Sequence, residues 1–248
     1  MTSSEQELRA RQANSFGAAA EVYERGRPGY PEAAIDWLLP ADPTVVLDLG
    51  AGTGKLTRQL AGRGLDVVAV EPSDGMRAQL EEILPEVRAL SGSAEAIPVP
   101  DASVDVVIVA QAWHWFDVPR AVVEVARVLA PGGRLALIWN TRDARVGWVK
   151  ELGAIMSGGV EAMDPADPIV GPPFAPVQRR DFEWSYTLTP DGLVDLVASR
   201  SYIITTSQEE RESRLDEVRR LIARHPDLAG RERFEMPYVT RCSRTSVS

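Results

Sequence analysis

Between Val45 and Asn140 short apolar runs alternate with stretches of helical pattern, and this alternation restricts the fold more than any other feature of the chain. VVLDL, LDVVAVE, VDVVIVAQ and RLALIWN are nearly unbroken apolar runs rich in β-branched residues. Runs of that kind are strands buried on both faces. Val87 to Leu90 adds a short strand between the second and third of these runs. LTRQLAGRG, DGMRAQLEEIL and DVPRAVVEVARVLA separate the strands with the spacing of amphipathic helices. Pro131-Gly132-Gly133 then stops the last helix and turns the chain into RLALIWN. Strand and helix in strict alternation predict a doubly wound α/β fold, with a mostly parallel sheet, helices on both faces and right-handed crossovers.

The flanks are read less completely. Residues 4–22 have helical composition, and RGRPGYP breaks that pattern. Pro31 suits the first position of a helix through PEAAIDWLL, with Ile35, Leu38 and Leu39 as its apolar stripe. The proline-rich MDPADPIVGPPFAP predicts an irregular loop within residues 143–180. FEWSYTL reads as a strand, and a helix runs from Thr189-Pro190 through Ser199. Ser207 with Glu210 has capping-box spacing and opens a charged helix whose inner stripe is Leu215, Val218 and Ile222. RFEMPYVTRCSR is the closing strand.

Composition removes several classes of function. Among 248 residues the formal charge is −9, which disfavours a general nucleic-acid binder because phosphate contacts need clustered Lys and Arg. Cys242 stands alone, so an internal disulfide and a Cys-rich zinc site are both excluded. His114 and His225 lie too far apart for a metal-ligand motif, and no metal is expected. The polar MTSSEQELRARQ lacks the apolar core of a signal peptide, and no apolar run approaches membrane-spanning length. A cytoplasmic protein without membrane or nucleic-acid partners is the expectation.

VVLDLGAGTGKLT places Gly50, Gly52 and Gly54 at every second position after the first strand. A triphosphate loop needs Gly-Lys-Ser/Thr with a second glycine five positions earlier. Here Leu56 follows Lys55 and Leu49 stands at the earlier position, so both requirements fail. A dinucleotide loop needs Gly-x-Gly-x-x-Gly, and Lys55 or Thr57 occupies its third glycine. Asp48 either tilts the local field toward a cationic ligand, such as a sulfonium and ammonium, or bonds loop amides at the strand end. Glu71, closing the second strand, suits the two hydroxyls of a ribose, a feature common to adenosine-bearing ligands.

Four stretches in order, LDLGAGTGKLT, AVEPSDGM, SGSAEAIPVPDASVDVVIVAQAWHWF and VLAPGGRLALIWN, make residues 45–142 resemble a class I, Rossmann-like S-adenosylmethionine-dependent methyltransferase. The resemblance implies a seven-stranded sheet with an antiparallel last strand and S-adenosylmethionine across the carboxyl ends of strands one to four. It implies that Gly50, Gly52 and Gly54 let backbone approach the methionine part of the cofactor. Glu71 would hold the ribose, and Met76 would pack on the adenine. Ser93, Ala94 and Glu95 would flank the adenine's other side, with Gln111 and Ala112 near the reacting sulfur. Many relatives carry Asp where this chain has Ser93, an uncharged and weaker acceptor for the adenine amino group. The chain is then one methyltransferase domain over 1–248: an N-terminal lid over 1–30, a cofactor-binding core over 31–142, and acceptor-side elements over 143–248.

FGAAAEVYERGRPGYP further resembles the opening segment of a small-molecule subgroup that includes trans-aconitate-type methyltransferases. That likeness implies that Tyr23 and Arg27 contact the cofactor, Arg27 as a partner for its carboxylate or for an acidic acceptor; a surface turn is the other reading. A small-molecule acceptor, methylated on a carboxylate or hydroxyl oxygen, is the expectation, in a monomer or homodimer. His114 in QAWHWFD is either a general base or a residue that orients its loop. Trp113, Trp115 and Phe116 either wall an acceptor pocket or pack on the following helix, the second reading applying to at least Trp115 or Phe116. A non-catalytic cofactor-binding protein and a nicotinamide-dependent oxidoreductase are the alternatives.

Overall fold

The computed structural model describes residues 28–157, 168–200, 203 and 206–247. The helical pattern over 4–22, and with it Tyr23 and Arg27, lies outside the described residues.

The elements follow the alternation read from the sequence. Helix α1 (Glu32–Leu38) leads into β1 (Val45–Leu49), α2 (Lys55–Ala61), β2 (Asp66–Val70), α3 (Asp74–Ile83), β3 (Arg88–Leu90), β4 (Val104–Ala110), α4 (Val118–Val128) and β5 (Leu129–Arg142). Then come α5 (Gly147–Ser157), β6 (Gln178–Leu188), α6 (Pro190–Ala198), α7 (Gln208–Arg224) and β7 (Phe234–Ser246). The seven strands lie in the order β3-β2-β1-β4-β5-β7-β6, parallel except for the last strand of the chain. Order reverses between β1 and β4, the kind of switch point at which open α/β sheets bind ligands.

The chain divides into two compact units. The first gathers the described residues of 29–140, 165–182 and 240–248. Its strands alternate their side chains between two cores, as a period of two requires. Leu47, Leu49, Val68, Val70, Val107 and Val109 face one layer with Ala121, Val122, Val125 and Val128 of α4. Val46, Val67, Ala69, Val106 and Ile108 face the other, with residues of α1, α2 and α3. Both faces of the sheet are therefore covered. The second unit, within 141–164 and 183–239, has a separate core in which Trp148 and Leu152 of α5 meet Leu193, Leu196, Val218, Leu221 and Tyr238.

Register decides where the ligand-facing ends fall. Leu49 pairs with Val70, Val70 with Leu90, Asp48 with Ile108, and Ala110 with Ile138. The carboxyl ends of five parallel strands thus finish at one edge of the sheet. Two local readings change. Residues 143–180 include the helix α5, whose stripe of Trp148, Val149, Leu152 and Met156 has helical spacing. Pro131-Gly132-Gly133 lies inside β5 as a bulge: Leu129 already pairs with Val104, and pairing resumes at Val106 with Arg134. Gly132, at φ 80°, takes the left-handed turn that this detour needs.

Candidate functional site

The first loop is fastened to the neighbouring strand before it turns into α2. Gly50 N donates to Val70 O at 2.8 Å and Ala51 N to the same oxygen at 3.2 Å. Gly50, Gly52 and Gly54 all hold positive φ, but their surroundings differ. A Cβ on Gly52 would find only the Met76 sulfur, 3.9 Å away, so this glycine borders open space. On Gly54 it would lie 3.1 Å from Leu80 and 3.3 Å from Leu84, because α3 packs directly against the loop. On Gly50 it would meet the Ala112 Cβ at 3.0 Å, which brings the end of β4 down onto the loop.

Glu71 stands just beyond β2 and is 6% exposed. Its Oε2 accepts a hydrogen bond from Gly52 N and its Oε1 from Ser73 N, both at 2.9 Å. Burial raises its pKa, while those two amides and Arg77 work in the opposite direction. A carboxylate has about four lone-pair sites, so two remain for further donors. Ser73 caps α3 by accepting from Met76 N, and that cap sets the buried Met76 beside Gly52.

Asp48 is completely buried. Its Oδ2 accepts from Thr57 Oγ1 at 2.6 Å, and its Oδ1 is buried with no hydrogen-bond partner. Burial lifts its pKa to about 7, with Glu71 adding a like charge and the Thr57 bond opposing the rise. The side-chain partner of Asp48 is thus a hydroxyl of α2 and not the loop amides of the strand-end reading.

The remaining predicted residues gather at the same edge of the sheet. Ser93 forms an antiparallel bridge to Ala96, and Ala94 is buried in the core beneath. Glu95 Oε1 accepts from Asp117 N at 2.8 Å, so its carboxylate also caps the start of α4. Gln111 holds φ 59°, a conformation that costs a non-glycine residue roughly 1–3 kcal/mol and clusters at functional sites. It is fixed by Gln111 N to Ile138 O at 3.0 Å and, more weakly, by Nε2 to Asn140 O at 3.4 Å. His114 is exposed on the short 3-10 turn Trp113–Trp115, with its ring 4.8 Å from that of Trp115. Trp113 packs inward with α4, its Nε1 donating to Ile169 O at 3.3 Å, and Phe116, edge-on to it, packs against the same core, as the second reading of these aromatics has it. Among the described residues no group of His, Cys, Asp and Glu is arranged to hold a metal ion.

Thr57 and Asn140 were not singled out from the sequence. Thr57 has no local signature, since its partner Asp48 lies across a loop. Asn140, at the edge end of β5, donates from Nδ2 to Gly29 O at 2.8 Å and accepts from Thr240 Oγ1 at 2.6 Å. Ser73 was legible as a capping residue ahead of a helix.

A glycine loop at the switch point of a doubly wound sheet, with a buried acid on the adjacent strand, defines a nucleoside-cofactor protein. The model of the methyltransferase domain family matches residues 47–137. A protein of Mycobacterium tuberculosis described as an uncharacterized methyltransferase is 57% identical over 235 residues, 94% of this chain and 96% of its own length. The malonyl-[acyl-carrier protein] O-methyltransferase of Methylococcus capsulatus is 36% identical over 133 residues, 49% of this chain and 48% of its own. A solved structure from Anaeromyxobacter dehalogenans, a candidate type II methyltransferase, superposes with a TM-score of 0.60 at 25% identity, covering 89% of this chain and 96% of that one. The chain belongs to the methyltransferase family, and it is an S-adenosylmethionine-dependent enzyme.

The residues present fit that cofactor. Open space faces Gly52, acceptor capacity remains on Glu71, and Asp48 at the end of β1 keeps one carboxylate oxygen without a hydrogen-bond partner. Among the described residues, no helix is long and apolar enough to cross a membrane.

Proposed function

We propose that this enzyme methylates an oxygen, carboxylate or hydroxyl, of a small-molecule acceptor, in the cytoplasm and as a monomer or homodimer. The observation that carries this reading is the presentation of exposed His114 one turn beyond the strained Gln111, at the end of β4. The relative named as acting on a malonyl group bound to a carrier protein supports a carboxylate as one class of acceptor. The net charge of −9 supports a small molecule over a nucleic acid.

S-adenosylmethionine, when bound, supplies a methyl group already activated on a sulfonium. The chain's own residues then bind, align and exclude water. In this reading Glu71 accepts from the ribose hydroxyls, Met76 and Ser93, Ala94 and Glu95 border the adenine, and Gly50 and Gly52 bring backbone close to the methionine part. Gln111 and Ala112 border the reacting sulfur. His114 accepts the proton that a hydroxyl must lose; a carboxylate acceptor arrives without one and needs no base.

The test is an acceptor panel of carboxylic acids and alcohols assayed with wild type and His114→Ala. Transfer to a hydroxyl should slow by about 10²–10⁴-fold in the variant, and transfer to a carboxylate should change little. Equal slowing on both classes dismisses the base, and no transfer to any small acid or alcohol dismisses the acceptor class.

A further inference from the structure

The segment that follows β3 is tied to α4 by side chains that the site described so far does not use. Glu124 Oε2 accepts from Ile97 N at 2.9 Å. Arg127 Nη2 donates to Ile97 O at 2.8 Å, while its Nη1 donates to Val99 O at 3.0 Å and to Asp101 Oδ1 at 2.7 Å. The two side chains also hold each other, through Nε to Oε1 at 2.9 Å and Nη2 to Oε2 at 2.8 Å. The Arg127 guanidinium accordingly holds the Glu124 carboxyl below the usual range. Such charge-assisted bonds are about twice as strong as neutral ones.

The loop is also closed on itself. Ile97 and Val99 are buried against the core that α4 completes. The Pro98 ring sits so near Gly92 that a Cβ there would lie 2.5 Å from it. At the other end Glu95 accepts from Asp117 N, directly before α4. A single helix therefore grips the loop at Glu95, at Ile97 and from Val99 to Asp101. A loop left untied would have to be ordered at the moment of binding, at a cost to affinity.

We propose that Glu124 and Arg127 are positioning residues for the adenine half of the methyl donor, holding Ser93, Ala94 and Glu95 in place before the donor binds. The proposal rests on the reading that those three residues flank the adenine. Neither Glu124 nor Arg127 touches the donor in this arrangement, so the effect on binding is indirect and confined to the adenine.

Calorimetry on the full chain with two ligands tests it: S-adenosylhomocysteine, and S-ribosylhomocysteine, which has the same ribose and amino acid but no adenine. Arg127→Met should raise the Kd of S-adenosylhomocysteine about tenfold, equivalent to ~1.4 kcal/mol, and leave that of S-ribosylhomocysteine within about twofold. Glu124→Gln should shift the same ligand in the same direction by less, and it carries the test where Arg127→Met does not fold. Arg127→Lys, which keeps the charge without the planar fork, should lie between wild type and Arg127→Met. Parallel losses for both ligands, or no loss for either, overturn the proposal. Glu71→Ala separates this from the site reading, because the ribose it serves is common to both ligands. Loss of both ligands in Glu71→Ala without adenine-selective loss in Arg127→Met overturns the clamp alone. Unchanged binding in Glu71→Ala with selective loss in Arg127→Met retains the clamp and overturns the ribose assignment.

Discussion

Asp48 shows how burial brings a carboxyl group into the neutral pH range. Its pKa is about 7 in the fold and near 3.8 when water surrounds it, chiefly because burial penalises the charge. The sign follows from the raised value: the acid form is favoured in the folded state. The resulting stability is complete below about pH 4 and lost as pH rises toward about 7. A cation bound over the loop reverses the preference by stabilising the ionised carboxylate. Binding of S-adenosylmethionine should therefore release a proton, and its Kd should fall as pH rises toward about 7 and level off above it. In Asp48→Asn the Kd should be flat over that window. A titration series in which wild type and variant show the same slope removes the linkage. The neutral S-adenosylhomocysteine sulfur should show a weaker slope than the sulfonium.

At the scale of the element, three glycines that look equivalent in the loop do different work. Gly54 begins α2 at φ 88° with Leu80 and Leu84 of α3 against it, whereas Gly52 borders open space at φ 58°. Gly54→Ala should cost stability, about 1–2 kcal/mol from the left-handed backbone and a further ~1–3 from overpacking on Leu80. Its cofactor affinity should stay within about twofold if the variant folds. Gly52→Ala bears the backbone term without the overpacking and should lose about tenfold in affinity, since the new methyl intrudes where a ligand would lie. Thermal melts and calorimetry on the two variants separate these outcomes, and equal affinity losses would show that the distinction is unfounded. Spacing alone put all three glycines in one loop, but which of them meets a helix depends on where α3 returns. The cap of α7 was only half legible for a similar reason. Ser207 accepts from Glu210 N at 3.2 Å as the pattern predicts, but the Glu210 carboxylate turns to Thr206 and Arg214.

For the molecule as a whole, a ligand that binds only the folded state stabilises it by mass action. At a hundredfold excess over Kd that gain is about 2.7 kcal/mol. For a chain of this size it corresponds to a rise in Tm of about 5–10 °C. S-adenosylmethionine and S-adenosylhomocysteine should both produce it, and NADH should not. A melting temperature unmoved by saturating donor would contradict the cofactor assignment.

Local periodicity and turn chemistry are legible in the amino-acid sequence alone. The alternation of strand and helix from Val45 to Asn140 predicted the parallel sheet, and the glycines after β1 and the acid after β2 fall at one edge of it. A two-residue or 3.6-residue period needs no partner to be visible. The helix α5 shows the limit, since its short stripe precedes a proline-rich stretch that dominates the local reading. That Asp48 bonds Thr57, that Glu71 takes the Gly52 amide, and that α4 grips the loop after β3 through Glu124 and Arg127 emerges only once the chain is folded. Those contacts arise because parallel register sets five strand ends at one edge while the crossovers return helices over them. No local pattern in the chain encodes which distant side chain meets them there.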